Sequence, residues 1–425
     1  MTAPALYLYR AASALFAPFA PLFLARRATH GKEDAARAGE RMGRTKIARP
    51  PGPLVWLHGA SIGESLSLLP LIDALTRMHA HVLVTTGTTS SARIIGARLP
   101  AGAIHQYVPL DCPVFARRFL DHWRPDLVAF AESELWPNLI FETQRRGTPL
   151  FLVNARISER SVRRWLRAPD FARRALDAFE TVFAQGDEDA ARFARLGAQR
   201  ITVAGNLKYD VAPPPADPQT LAEFAAEIGA RPVWVAVSTH EGEEEICLEA
   251  HEILRRNFPA ALLVIAPRDA RRGLEIAALA RRAGASNTLR SAEGPVGADI
   301  KVFIADTFGE MGLWLRLANI VFVGKSLVPG GGPNPIEPAK LGGAILHGPG
   351  VDNFVDAYAL LDAAGGGACV NDAPELAGRL AMLFAQPAAA REMARAAGET
   401  VESLSGATAR ILASIAPCLA RGADR

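Results

Sequence analysis

Cysteine is scarce in this 425-residue chain, and its four copies, Cys112, Cys247, Cys369 and Cys418, stand far apart with no Cys-x-x-Cys spacing. That excludes a disulfide framework and a cysteine-based zinc site, and it fits a reducing compartment. The nine histidines form no His-x-x-x-His or His-Glu-x-x-His grouping, so no spacing asks for a metal. A large charge of either sign is missing too: 47 basic and 44 acidic side chains leave a formal +3. A general nucleic-acid binder would carry long basic stripes interleaved with aromatics, and aromatics are only 7% of this chain. The local clusters Arg26-Arg27, Arg117-Arg118, Arg145-Arg146, Arg271-Arg272 and Arg163-Arg164 with Arg167 read as solvated helix faces. No internal repeat is visible.

What is present is the composition of a globular protein, 49% hydrophobic and 21% charged, on a chain too long for one core. Two domains of roughly 200 residues each are expected. The one long apolar stretch follows Arg10, from Ala11 to Ala25, and is closed by Arg26-Arg27. It is short of the ~20 residues a spanning helix needs unless the preceding residues extend it, and Pro18 and Pro21 should bend it. A membrane anchor or a segment lying in the interface is expected, with the following basic residues on the cytoplasmic side.

From Leu54 onward, short apolar runs alternate with helical patterns. Leu54–His58, Val82–Thr86, Ile104–Pro109, Asp126–Ala131, Pro149–Asn154 and Thr181–Gln185 read as strands covered on both faces. Helical patterns lie between them, among them Ser65–Met78, Val114–Trp123 and Asp187–Leu196. The alternation halts at Val211–Pro218, with four prolines in eight residues, and resumes with Val233–Thr239, Ala261–Pro267, Lys301–Asp306, Asn319–Gly324 and Ala344–His347. Repeated βα order predicts an α/β protein of two Rossmann-like doubly wound domains, with a ligand held between them at the carboxyl ends of both sheets. The predicted divisions are a membrane-associating lead-in (1–50), a first Rossmann-like domain (51–210), a proline-rich hinge (211–218), a second Rossmann-like domain (219–395) and a helical tail (396–425) that packs back on the first lobe.

The motifs sit where strands end. His58-Gly59-Ala60-Ser61-Ile62-Gly63-Glu64 opens a helix, and Glu64 reads either as a first-turn acid or as a general base for a sugar hydroxyl. Glu132-Ser133-Glu134-Leu135-Trp136-Pro137-Asn138 places two carboxylates at another strand end, to receive a sugar or to start a helix. Arg156 follows the next strand and Lys208 stands just before the hinge; each is a candidate for a phosphate or acceptor contact, with Ser61 and Gly63. In the second half, Ser238-Thr239-His240-Glu241-Gly242-Glu243-Glu244, Pro267-Arg268, Asp306-Thr307-Phe308-Gly309-Glu310 and Gly330-Gly331-Gly332-Pro333-Asn334-Pro335-Ile336-Glu337 all suit an anion or a nucleotide. The glycines should offer bare N–H groups, and Glu337 should hold ribose hydroxyls.

Taken in order, these stretches resemble the Kdo (3-deoxy-D-manno-octulosonic acid) transferases of lipid A assembly, glycosyltransferase family 30. The shared stretches are Ser61–Glu64, Glu132–Asn138, Asn154–Ser161, Gly205–Asp210, Ser238–Glu244, Pro267-Arg268, Asp306–Glu310 and Gly331–Pro338, followed by His347-Gly348-Pro349 and Asn353-Phe354. The resemblance implies a GT-B fold, CMP-Kdo as donor and the tetraacylated lipid A precursor as acceptor. It also implies inversion at the anomeric carbon, no cofactor or required metal, and work at the cytoplasmic face of the inner membrane. Carried over by position, Glu64 is the base and Glu134 the second essential carboxylate. The nucleotide side is Ser238, Thr239, Pro267, Arg268, Gly309, Glu310, Gly331, Gly332, Asn334 and Glu337. Two positions depart from the family pattern: Pro333 before the loop asparagine, which removes an N–H, and Asp269 after Arg268. A sugar-nucleotide epimerase on the same fold and a non-catalytic nucleotide-sugar binder are the rival readings.

Overall fold

The computed structural model describes residues 4–292, 294, 296–329 and 331–423; Gly330 of the glycine run lies outside them. The chain divides into two compact units, residues 1–211 with 405–425, and residues 212–404.

Unit 1 holds a seven-stranded parallel sheet: β1 (Leu54–His58), β2 (His81–Thr86), β3 (Ala103–Tyr107), β4 (Leu127–Ala131), β5 (Leu150–Ala155), β6 (Thr181–Ala184) and β7 (Ile201–Val203). Their order is β3-β2-β1-β4-β5-β6-β7, all pairs parallel. The chain winds outward one way from β1 and the other way from β4, so the order reverses between those two neighbours. β1 and β4 are buried at every position, the apolar runs expected of strands covered on both faces. Trp56, Phe119 and Phe130 pack together on one face, with ring centroids of 4.7 and 5.1 Å from Trp56.

Unit 2 repeats the plan with β8 (Val233–Thr239), β9 (Leu262–Pro267), β10 (Asn287–Leu289), β11 (Val302–Ile304), β12 (Ile320–Val323), β13 (Ala344–His347) and β14 (Gly367–Cys369). The order is β10-β11-β9-β8-β12-β13-β14, again all parallel, with its reversal between β8 and β12. Both units are doubly wound Rossmann-type domains.

Some boundaries differ from the sequence reading. The predicted helix Ser65–Met78 is two helices, Ile62–Ser67 and Leu69–Arg77. Pro70 has no N–H to continue the first and seats itself in the first turn of the second. The proline stretch is tied to unit 2: Arg316 Nη1 donates to Pro214 O at 2.7 Å, and Pro218 begins the helix Pro218–Ile228, capped by Asp217. The division at residue 395 falls inside the helix Pro387–Ser403, which stays with unit 2 through buried Ala397 and Val401. Only from Ser405 does the chain rejoin unit 1, where Ala407, Ile411, Ile415 and Leu419 enter the core under β1 and β4. Each of the two isoleucines, fully buried, contributes about 1.5–3 kcal/mol to that return.

The N-terminal segment is helical at Pro4–Phe16 and Ala20–Thr29, with a tighter turn at Ala17–Phe19 around Pro18. Its amphipathicity is inverted. The inward side carries polar groups with partners: Tyr9 donates to Asp111 Oδ2 at 2.8 Å, Arg10 pairs with Glu142 at 2.8 Å, and Ser13 Oγ accepts from Asn138 Nδ2 at 3.0 Å. The outward side, with Leu8, Leu15, Phe19 and Leu22 between 63% and 74% exposed, has no charged residue from Ala5 to Ala25.

Candidate active site

In open α/β sheets a ligand crevice forms outside the carboxyl ends of strands where the strand order reverses. Both reversals in this chain carry the residues singled out from the sequence. Backbone strain collects there too. Of six non-glycine residues with left-handed φ among the described residues, three stand at these reversals, Glu132 (52°) after β4, Ser238 (56°) in β8 and Lys325 (51°) after β12, and Asn154 (51°) lies in the neighbouring β5. Such conformations cost of order 1–3 kcal/mol each and persist where the surroundings enforce them.

In unit 1, β1 ends in the loop that opens the helix Ile62–Ser67. Ser61 caps it, its Oγ accepting from Glu64 N at 3.3 Å, and donates in turn to Glu64 Oε1 at 2.7 Å. Glu64 Oε2 accepts from Ala60 N at 2.8 Å. This reciprocal arrangement, close to a capping box, fixes the carboxylate at the sheet's edge. Burial pushes the Glu64 carboxyl above its ordinary range; the Glu134 and Glu132 carboxylates add to the rise, and Ser61 and Ala60 oppose it. The same cap that suits a first-turn acid holds the group in place, while burial and the neighbouring acids make it more basic.

Glu134 follows β4. Its Oε2 accepts from Trp136 Nε1 at 2.5 Å and lies 3.4 Å from His58 Nε2 across the β1–β4 gap. Burial pushes this carboxyl up, but His58 and Trp136 outweigh it and hold Glu134 below its usual value. The two acids are thus driven apart, the pattern by which neighbouring carboxyls take different roles. Glu132 stands 3.7 Å from Lys208 Nζ. Lys208 is set in the turn Leu207–Tyr209, which buried Asn154 holds by accepting from Leu207 N at 3.0 Å. Arg156 is exposed one residue beyond β5, and exposed Gly63 lies in the first turn beside Glu64.

In unit 2 the organising residue is Glu243, a fully buried carboxylate at the start of the helix Glu243–Arg255. Oε1 accepts from Ser326 N and Leu327 N, both at 2.9 Å; Oε2 accepts from His240 N at 3.1 Å and from Lys325 N. One side chain thereby locks the loop after β8 to the loop after β12, spanning the reversal. Its neighbour Glu244 is also buried, paired with Arg272 at 2.8 Å. Three amides of the Lys325–Leu327 turn are consequently spent inside the protein and are not a free anion cradle.

One amide of the glycine run is spent in the same way. Gly332 N donates to Gly350 O, and Tyr358 OH donates to Pro333 O at 2.9 Å. A Cβ on Gly332 would lie 2.9 Å from Gly350 O, and one on Gly348 would strike the Ser326 carbonyl, so these glycines let two loops pass closely. Gly331 is held by Asn353, which donates to its carbonyl at 2.5 Å. Asn334 Oδ1 accepts from Ile336 N at 3.0 Å, and its Nδ2 is 3.4 Å from Glu337 Oε1. Thr239 is buried. Glu310, after Gly309 at φ 89°, is gripped by both Nε and Nη2 of Arg290 and by Thr307, and these outweigh burial to lower its carboxyl below the usual range. Arg268, just past Pro267 at the end of β9, is exposed and makes no ion pair among the described residues. It is an available cation on this side. Asp269 takes Arg271 at 2.7 Å rather than Arg268.

His58, Glu243 and Arg290 acquire roles that sequence reading passed over. His58 had a signal, a polar residue ending a buried strand. Glu243 and Arg290 act on residues 83 and 20 positions away, which no local pattern reveals. Among the described residues no group of three or more His, Cys, Asp or Glu is arranged as metal ligands.

Comparison with known proteins agrees with this arrangement. Residues 36–211 match the family described as 3-deoxy-D-manno-octulosonic-acid transferase (kdotransferase). The 3-deoxy-D-manno-octulosonic acid transferase of Bordetella pertussis is 37% identical over 411 residues, covering 93% of this chain and 95% of that protein. The probable mitochondrial 3-deoxy-D-manno-octulosonic acid transferase of Arabidopsis thaliana is 34% identical over 359 residues, covering 82% and 80%. Among solved structures, a glycosyltransferase from Rickettsia africae is similar in fold, with a TM-score of 0.58 at 12% identity over 87% of this chain and 99% of that one. The UDP-GlcNAc 2-epimerase of Neisseria meningitidis is similar in fold as well, with a TM-score of 0.59 at 13% identity over 86% of this chain and 100% of that one. The fold is of the GT-B class, and the epimerase is alike only in fold. The chain belongs to the 3-deoxy-D-manno-octulosonic acid transferase family and is a glycosyltransferase.

Proposed function

We propose that this enzyme transfers Kdo from CMP-Kdo to the tetraacylated lipid A precursor, with inversion and without a resident metal or cofactor. The observation that carries the chemistry is Glu64, a capped carboxylate made more basic by burial and, after it, by two neighbouring acids. A sugar hydroxyl is a weak nucleophile and must shed its proton as it attacks. Glu64 takes that proton, the hydroxyl oxygen bonds to the anomeric carbon of Kdo, the bond from that carbon to the phosphate oxygen breaks, and CMP leaves with the electron pair. One displacement inverts the centre. Glu134, kept ionised, accepts hydrogen bonds from sugar hydroxyls, and Lys208 and Arg156 meet anionic groups of the acceptor.

On the donor side Arg268, exposed and unpaired, is the fork for the CMP phosphate, and Glu337 with Asn334 receives the ribose. Ser238, Thr239, Gly309 and Gly331 line the donor by carry-over from the family pattern. Glu310, neutralised by Arg290, supports that wall rather than contacting the phosphate. The leaving phosphate is met by cationic side chains, the role a metal plays elsewhere.

The inverted N-terminal segment fits a bilayer surface at the cytoplasmic face of the inner membrane. It is long and apolar enough to cross a membrane, 25 residues from Ala5 to Thr29. Its inward ties through Tyr9, Arg10 and Ser13 favour lying in the interface with the outward side in lipid.

The test is purified full-length protein with CMP-Kdo, with and without the lipid acceptor. Transfer predicts CMP release matched by an acceptor gaining Kdo mass. An epimerase would yield an altered nucleotide sugar without acceptor, and a binder would release no CMP; either result sinks the reading.

A further inference from the structure

The function proposed above uses Glu64 and Glu134 but leaves unexplained the imidazole between the strands that carry them. His58 ends β1 and is fully buried. Its ring is fixed in one orientation: Nδ1 lies 3.0 Å from Thr85 O and 2.9 Å from Thr85 Oγ1 on β2, and Phe130 on β4 meets the ring edge-to-face at 5.5 Å. Thr85 Oγ1 is itself held by Trp56 Nε1 at 2.8 Å. Nε2 is thereby aimed across the strand-order reversal at Glu134 Oε2, 3.4 Å away.

The protonation follows from the acceptors. An ionised carboxylate oxygen has no hydrogen to give, so the contact is attractive only if Nε2 carries one. On the other side, either Nδ1–H donates to the Thr85 carbonyl or the Thr85 hydroxyl donates to a bare Nδ1. In the second case the neutral ring carries its one hydrogen on Nε2, and Trp56 Nε1, by donating to Thr85 Oγ1, leaves the Thr85 hydroxyl hydrogen for Nδ1; in the first, Nε2 carries a hydrogen only as the imidazolium.

We infer that His58 is a positioning residue, whose Nε2–H keeps Glu134 ionised and aimed beside Glu64. The claim rests on the reading of Glu64 as base. Glu134 is faced by His58 from β1, by Trp136 from its own loop and by Glu64 from the helix after β1, while Glu132 of the same loop acts on Glu64 and lies near Lys208. Of these, only His58 and Trp136 favour its charged form. Without His58, burial acts on Glu134 against a single indole N–H, so Glu134 takes up a proton at a higher pH.

Two measurements test this on the full-length protein. Imidazole ¹⁵N spectra of histidine-labelled protein should report a protonated His58 Nε2 at neutral pH, with its signal displaced in Glu134→Gln. The acidic limb of the kcat/KM profile for CMP-Kdo, set by Glu64 alone in the parent, should steepen toward a two-proton fall in His58→Leu as the titration of Glu134 joins it, and less so in His58→Gln, which retains a donor. Thermal melts accompany both variants. A bare Nε2 in the parent overturns the inference. So does a protonated Nε2 with a limb of unchanged slope, where rate falls equally at every pH alongside the melting temperature. Should the parent fail to transfer Kdo, the functional reading falls while the nitrogen signal and its response to Glu134→Gln still judge the pair.

Discussion

Glu243→Gln is the perturbation whose size follows most directly from geometry. Each carboxylate oxygen of Glu243 accepts two backbone N–H groups, Ser326 and Leu327 on Oε1, His240 and Lys325 on Oε2. A glutamine keeps one oxygen and must turn its NH₂ toward the other pair, donor against donor. Two hydrogen bonds to a charged group are lost, at about 1.5–3 kcal/mol each, giving about 3–6 kcal/mol before the loop relaxes. Taking ~3 kcal/mol after relaxation, and about 2–4 °C per kcal/mol for a domain of this size, the transition of unit 2 should fall by about 6–12 °C. Calorimetry of the full chain reads the transition, and hydrogen exchange should show lost protection at Lys325, Ser326 and Leu327. Affinity for CMP should fall in parallel because the loop after β12 is no longer tied to the loop after β8. A Glu243→Gln protein melting within about 2 °C of the parent, with those amides still protected, would refute the reasoning.

Arg268→Lys replaces a planar fork by a point charge, so KM for CMP-Kdo should rise ~10-fold with kcat less affected; equal kinetics would remove Arg268 from the phosphate. Leu8→Asp, Leu15→Asp and Leu22→Asp together alter only outward positions, so melting should be unchanged. Vesicle binding should fall by at least ~10³-fold, since each apolar side chain transferred to lipid contributes about 1.5–3 kcal/mol. Undiminished sedimentation with vesicles would remove that face from the membrane. Because burial and the Glu134 and Glu132 carboxylates raise the Glu64 carboxyl, kcat/KM should decline on the acid side with an apparent pKa above the ordinary carboxylate range, and Glu134→Gln should bring that limb down. A limb at the ordinary value in the parent would separate Glu64 from the rate.

The layout was legible because its causes are local. Uniformly apolar runs such as Leu54–His58 and Val233–Thr239 can only be strands covered on both faces, and glycine, proline and capping residues at their ends mark the turns. The edge strands Ile201–Val203, Asn287–Leu289 and Gly367–Cys369 escaped detection because they are three residues long and half-exposed, so no apolar pattern marks them. In the site, Glu64 and Glu134 were identifiable from their motifs, but the reasons they differ in basicity were not. Those reasons lie in His58, Trp136 and Glu132, brought near by the adjacency of β1 and β4, which is a property of topology. In the glycine run, bare amides and loop-crossing glycines look alike in sequence. Only the partner, Gly350 O for Gly332, tells them apart.

The base assignment is tested most directly by single-turnover kinetics of Glu64→Gln at saturating CMP-Kdo, set beside calorimetric CMP affinity. General-base assistance is typically worth ~10²–10⁴, so transfer should slow by at least ~100-fold while CMP binds as in the parent. Transfer at near-parental rate, with binding intact, would contradict the account at its centre.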